Sequence, residues 1–194
     1  MPARGFGGGI LANKLTINGR GESGQDNFAF EVCGRKPTGT FLDIGCALPR
    51  ETNNTFALEE VGWTGVLVDI DPQFQEVCTR ERKSRFVLGD ATVIDWREIY
   101  PCSEGEYVID YLSLDVDENK DKTRALTVLQ NLHAAGLRFR VATIEHDAYK
   151  NGDQPRRWIR KFMLFKAGYT LAHGDVEIRK GNEKPFEDWW LGDL

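Results

Sequence analysis

The stretch "TGTFLDIGCALPRETNNTFALEEVGWTGVLVDIDP" (38–72) decides the fold. It holds two apolar strand-like runs, "TFLDIG" (40–45) and "GVLVDID" (65–71), each carrying an aspartate near its carboxyl end. Between them, "NTFALEEVGW" (54–63) places Phe56, Leu58 and Val61 at roughly helical spacing behind asparagines able to cap. The loop after Gly45 carries Pro49, where a nucleotide-binding loop would have another glycine.

Outward from this β-α-β unit the same alternation continues. Pro72 suits the first turn of a helix over "QFQEVCTRERK" (73–83), with Asp71 before it as a cap. "RFVLGDA" (85–91), "YVIDYLSLDV" (107–116) and "FRVATIEHD" (139–147) read as the third, fourth and fifth strands. "DKTRALTVLQNLHAAG" (121–136) is a crossover helix stopped by glycine, and "PRRWIRKFMLFKAGY" (155–169) a helix started by proline and ended by Gly168. Two last strands around the polar turn "KGNEK" close the chain without an intervening helix, which predicts an antiparallel strand at the edge of an otherwise parallel, doubly wound α/β sheet.

A chain of 194 residues, 41% hydrophobic and 28% charged, suits one domain over 21–194 behind a glycine-rich, flexible segment over 1–20. A formal charge of -5 argues against a nucleic-acid partner. The apolar run near the start is too short for a membrane span or a secretory leader. Four scattered cysteines form no C-x-x-C pair, which fits a reducing, cytoplasmic setting and gives neither a disulfide framework nor a thiolate metal site.

In open α/β sheets ligands lie beyond the carboxyl ends of the strands. Those ends carry Asp43, Asp69, Asp90, Asp115 and Glu145. Such a ring repels phosphate and attracts a cationic ligand bearing ribose hydroxyls. S-adenosylmethionine, with a sulfonium, an ammonium, a free ribose and no phosphate, meets that description. The G-x-G-x-x-G that a pyrophosphate requires is replaced by "GCALPRETNN", in which only Gly45 is kept, so a nicotinamide-dependent oxidoreductase is the weaker reading. Asp69 would accept hydrogen bonds from the ribose, and Asn53 and Asn54 serve either as caps or as contacts to the methionine end.

The runs "SGQD" (23–26), "FLDIG" (41–45), "NNTFALEEVGWTGVLVDIDP" (53–72), "YLSLDVDENK" (111–120), "ATIEHD" (142–147) and "FEDWWL" (186–191) together resemble FkbM-like methyltransferases, within the class I S-adenosylmethionine-dependent methyltransferases. The resemblance implies a Rossmann-like seven-stranded sheet of order 3-2-1-4-5-7-6 with strand 7 antiparallel, and methyl transfer to a hydroxyl of a small molecule or sugar. It implies Asp43 and Gly45 at the methionine part, Asp69 at the ribose, Asp90 with Ala91 at the adenine edge, and Asp115 at the reacting centre. Two departures stand out: "CALPRE" in the first loop, and Glu118 where relatives have glycine.

Methyl transfer needs alignment of nucleophile, methyl and sulfur, and removal of the hydroxyl proton. Asp115, Glu145, His146 and Asp147 lie where a base would act. A divalent cation held by Asp115 and Glu145 would lower the acceptor's pKa; carboxyl groups sharing hydrogen bonds is the plainer alternative. In "QPRRWIRKF" (154–162), Trp158, Ile159 and Phe162 read as a core-facing stripe and the basic residues as its solvated side. A non-catalytic adenosine-ligand-binding protein on the same fold is the alternative function.

Overall fold

The computed structural model describes residues 15–101, 105–116, 121–178 and 184–193. Most of the glycine-rich start, Glu118 and most of the "KGNEK" turn lie outside the described residues. The described residues form seven strands: β1 Thr40–Ile44, β2 Thr64–Asp69, β3 Arg85–Leu88, β4 Tyr107–Leu114, β5 Leu137–Glu145, β6 Tyr169–Glu177 and β7 Pro185–Gly192. They form one sheet in the order β3-β2-β1-β4-β5-β7-β6. The first five pair in parallel, whereas β7 runs antiparallel to both β5 and β6. The expected order and the antiparallel seventh strand are both present.

The continuous apolar runs of β1, β2 and β4 follow from coverage of the sheet on both faces. Alternate residues of one strand enter different cores. Leu42 and Ile44 join Val66, Val68, Leu112 and Leu114 under helix α5 (Arg124–Ala134), which contributes Val128, Leu129 and Leu132. Phe41 faces the other way, with Leu67 and Tyr111, against Ala29 and Phe30 of α1 (Gln25–Val32) and against Leu58 of α2 (Phe56–Glu60). Asp43 shares the face of Phe41, which directs its carboxyl toward α2 rather than α5.

α3 (Gln73–Glu81) opens as expected, with Asp71 Oδ1 accepting the Gln73 amide at 2.9 Å. A one-turn α4 (Trp96–Ile99) follows β3, and another, α6 (Ala148–Asn151), follows β5. α7 (Asp153–Phe162) runs into a π-helical turn, Met163–Ala167, that Gly168 ends at φ 77°. Ile159 of α7 is buried as expected, but its basic residues are not simply solvated: Arg160 donates to both carboxyl oxygens of buried Asp188 at 2.7 Å, and Arg156 pairs with Asp175. Trp190 is fully buried in the sheet, and Trp189 stacks on Phe28 with centroids 4.6 Å apart. No helix among the described residues is long and apolar enough to cross a membrane.

Candidate active site

Two connected lobes open beyond the carboxyl ends of β1, β2 and β4. The first, about 540 Å³, has apolar walls from Ile44, Val68, Ile70, Phe74, Ala91 and Val116, with Asp69 and Arg124 among its polar groups. The second, about 220 Å³, is lined by Glu22, Asp43, Glu51, Asp115, Glu145 and Glu187, with no basic side chain among its lining residues. Gly45, Ala47 and Asp115 belong to both lobes, so this seam joins them.

Local geometry explains Gly45. Its φ is +77°, and a Cβ there would lie 1.6 Å from the Asp115 carbonyl oxygen. The Asp115 amide donates to the Ile44 carbonyl at 2.9 Å, and the Gly45 amide to that of Val68 at 2.8 Å. The three strand ends thus close on one another over a residue without a side chain.

The proline-bearing loop is held by side chains. Asp69 Oδ2 accepts the Ala47 amide at 2.9 Å, while its Oδ1 accepts that of Asp71 at 2.9 Å. Asn53 Nδ2 donates to the carbonyls of Cys46 and Leu48, and Asn53 Oδ1 accepts the amides of Thr55 and Phe56, so Asn53 ties the loop to the start of α2. Beneath lies Arg82, whose side chain is fully buried: Nε donates to Glu59 at 2.9 Å, NH1 to the Pro49 carbonyl and Asn53 Oδ1, and NH2 to Thr55 Oγ1. Pro49 has no amide to place, and its carbonyl is the group this hub uses.

In the second lobe, Asp43 accepts the Thr55 hydroxyl at 2.6 Å, and burial raises its carboxyl pKa. Burial, then the charge of Asp115 and hydrogen bonds to Asp147 and Asp115, push the Glu145 carboxyl well above the usual carboxylate range. Burial likewise raises Glu187 to about 8, with Trp189 and Gln25 donating to it in the opposite sense. Asn54 Nδ2 donates to Ser113 at 3.1 Å, leaving its buried Oδ1 unpartnered in a lobe that could offer it a donor.

The structure therefore brings Asp43, Gly45, Asn54, Asp69, Ala91, Asp115 and Glu145 to one cleft. It does not bring His146 there. That residue follows the last residue of β5 and is fully buried, with its amide donating to the Phe186 carbonyl at 2.8 Å, Nδ1 accepting the Ala148 amide at 3.1 Å and Nε2 3.5 Å from Asp188, and it lines neither lobe. Asp90 is also outside the lining: β3 ends at Leu88, and Asp90 Oδ1 turns to the amide and hydroxyl of Thr92 and to Arg124.

A divalent cation on Asp115 and Glu145 finds no support. Among the described residues the cluster with metal-like spacing is His146, Asp175 and Asp188, and Arg160 already grips both of those aspartates. Residues unforeseen in the sequence are Ala47, Phe74, Arg124 and Glu187. Glu187 lies opposite Glu145 in the β5–β7 register. Because β7 is antiparallel, it is the start of that strand, not its end, that reaches the site.

Glu187 carries a pH prediction. A carboxyl raised from 4.5 to about 8 favours folding in its protonated form, so its contribution is full below 4.5 and is lost as pH rises through about 8. Glu187→Gln, which keeps a neutral group there, is expected to flatten the decline of Tm across that window. An unchanged slope would refute the assignment.

No protein-family model and no curated protein sequence matches the chain. Solved structures do. A TehB-like SAM-dependent methyltransferase from Corynebacterium glutamicum aligns with TM-score 0.53 at 16% identity, over 87% of this chain and 88% of that one. A Streptococcus mutans protein solved in complex with SAH aligns with TM-score 0.53 at 13% identity, over 85% and 96%. A SAM-dependent methyltransferase from Methanosarcina mazei aligns with TM-score 0.52 at 12% identity, over 82% and 94%. Sheet order, helical layers and these alignments agree: the chain has the fold of the class I S-adenosylmethionine-dependent methyltransferases.

Proposed function

We propose that the protein is an S-adenosylmethionine-dependent O-methyltransferase acting on a hydroxyl of a small molecule or sugar, akin to the FkbM-like branch of the fold, and working in the cytoplasm without a nucleic-acid partner. The observation that carries the reading is the pairing of an apolar slot containing Asp69 with an acid-lined lobe across the Gly45–Asp115 seam. A base and a ribose suit the first lobe; a sulfonium and an ammonium suit the second. Asp69 retains acceptor capacity on both oxygens beyond the two amides it holds, which is what ribose hydroxyls require. When bound, the donor supplies an electrophilic methyl on a positively charged sulfur.

The chain's own contribution is orientation and proton handling. Asp43 and Asn54 lie where the methionine end would be held. Asp115 is the carboxylate that would accept the acceptor's hydroxyl proton, with Glu145 beside it, its carboxyl raised by burial and by the charge of Asp115. With acids and no base among the described residues lining this lobe, neutral or cationic hydroxylated acceptors are favoured over phosphorylated ones.

Transfer of a labelled methyl group to a panel of sugars and polyols, their amino derivatives and their phosphate esters tests the proposal. Label is expected in hydroxyls of unphosphorylated members. Asp115→Asn is expected to lower the rate by about 10²–10⁴-fold with donor affinity little changed. Label only in phosphate esters or nucleic acid, or an Asp115→Asn variant as fast as the parent, would contradict it.

A further inference from the structure

The polar edge of the first lobe is built differently from what its sequence position implies. Arg124, the first residue of α5, lines the lobe beside Ala91, whereas Asp90 does not. Asp90 Oδ1 instead accepts the Thr92 amide at 2.9 Å, the Thr92 hydroxyl at 2.8 Å and Arg124 NH2 at 3.1 Å. The Thr92 carbonyl accepts from Asn131 Nδ2 of α5 at 2.8 Å, so the turn that holds Asp90 is itself fixed to the helix that carries Arg124. The guanidinium is thereby set at the wall of an apolar slot, where among the described residues its hydrogen bond to a side chain is the one from NH2 to Asp90.

Resting on the donor reading above, we infer that Arg124 is the residue that reads the donor's base, donating to a ring nitrogen, and that Asp90 is a positioning residue that holds Arg124 and makes no contact with the 6-amino group. The two assignments differ in chemistry. A carboxylate can only accept, and would recognise the 6-amino group; a guanidinium can only donate, and recognises the acceptors N1, N3 or N7. Arg124 and Asp90 are each about a quarter exposed in their side chains, so Tm is measured beside affinity to separate lost recognition from lost folding.

The test is equilibrium binding of S-adenosylhomocysteine, its 1-, 3- and 7-deaza analogues and its analogue lacking the 6-amino group to the parent, Arg124→Ala, Arg124→Lys and Asp90→Asn, with Tm measured for each. For the parent, one deaza analogue is expected to bind about tenfold more weakly than S-adenosylhomocysteine, the worth of one hydrogen bond from a charged donor. That penalty should vanish in Arg124→Ala and return in part in Arg124→Lys. Asp90→Asn should reduce it, while leaving any penalty for loss of the amino group as in the parent.

A deaza penalty that survives Arg124→Ala, no penalty for any deaza analogue, or an amino-group penalty that disappears in Asp90→Asn would each overturn the inference. A parent that binds none of these ligands would instead overturn the donor reading itself. The two failures are distinct.

Discussion

Gly45→Ala is expected to weaken binding of S-adenosylhomocysteine by roughly a hundredfold and to destabilise the fold. The residue sits at φ +77°, where a side chain is strained, and the new methyl carbon would fall 1.6 Å from the Asp115 carbonyl oxygen, a contact no rotamer can relieve because both partners are backbone. Relief requires β1 and β4 to part at their carboxyl ends, breaking the Asp115–Ile44 hydrogen bond and moving Asp115 itself. Strain and lost hydrogen bonding of about 3 kcal/mol correspond to roughly a hundredfold in affinity if carried wholly by the site. Calorimetry with a parallel melting curve checks this. Parent-like affinity would mean that the seam between the lobes is not where the ligand lies.

The second large effect is expected at Arg82, which never meets the ligand. Arg82→Ala leaves Glu59 buried without its cation and withdraws donors from Pro49, Asn53 and Thr55 at once. Breaking one side of such a buried pair costs about 3–5 kcal/mol, and a chain of this length should lose roughly 10 °C in Tm. Replacing both partners, Arg82→Met with Glu59→Gln, should recover part of that stability, because no buried charge is left alone and the glutamine oxygen can still accept the Ser84 amide. Donor affinity should not recover, since the loop carrying Ala47 and Pro49 stays untied. If the double variant bound S-adenosylhomocysteine as the parent does, the hub would be dispensable to the site.

The parallel strands were legible because burial on both faces writes them as unbroken apolar runs, and Gly45, Asp69 and Asp115 followed from where those runs stop. α1 was not legible. Its buried residues include Gln25 and Asp26, held by hydrogen bonds, so no apolar period marks it. The apolar run to residue 91 puts Asp90 at a strand end, but the ladder stops at Leu88 and the chain turns before Asp90. Strand direction hides Glu187, and adjacency in sequence groups His146 with Glu145, although β5 ends at Glu145 and the His146 ring turns to Asp188. The Arg82 hub joins residues 49, 53, 55, 59 and 82, a grouping that only the folded loop brings together.

The most direct test of the central claim is calorimetric titration of the intact chain with S-adenosylhomocysteine, with NAD as a control and Gly45→Ala and Asp69→Ala alongside. The account predicts micromolar binding of S-adenosylhomocysteine by the parent, its weakening in Gly45→Ala, its loss in Asp69→Ala and no binding of NAD. Absence of S-adenosylhomocysteine binding by the folded parent, or preferential binding of NAD, would contradict it.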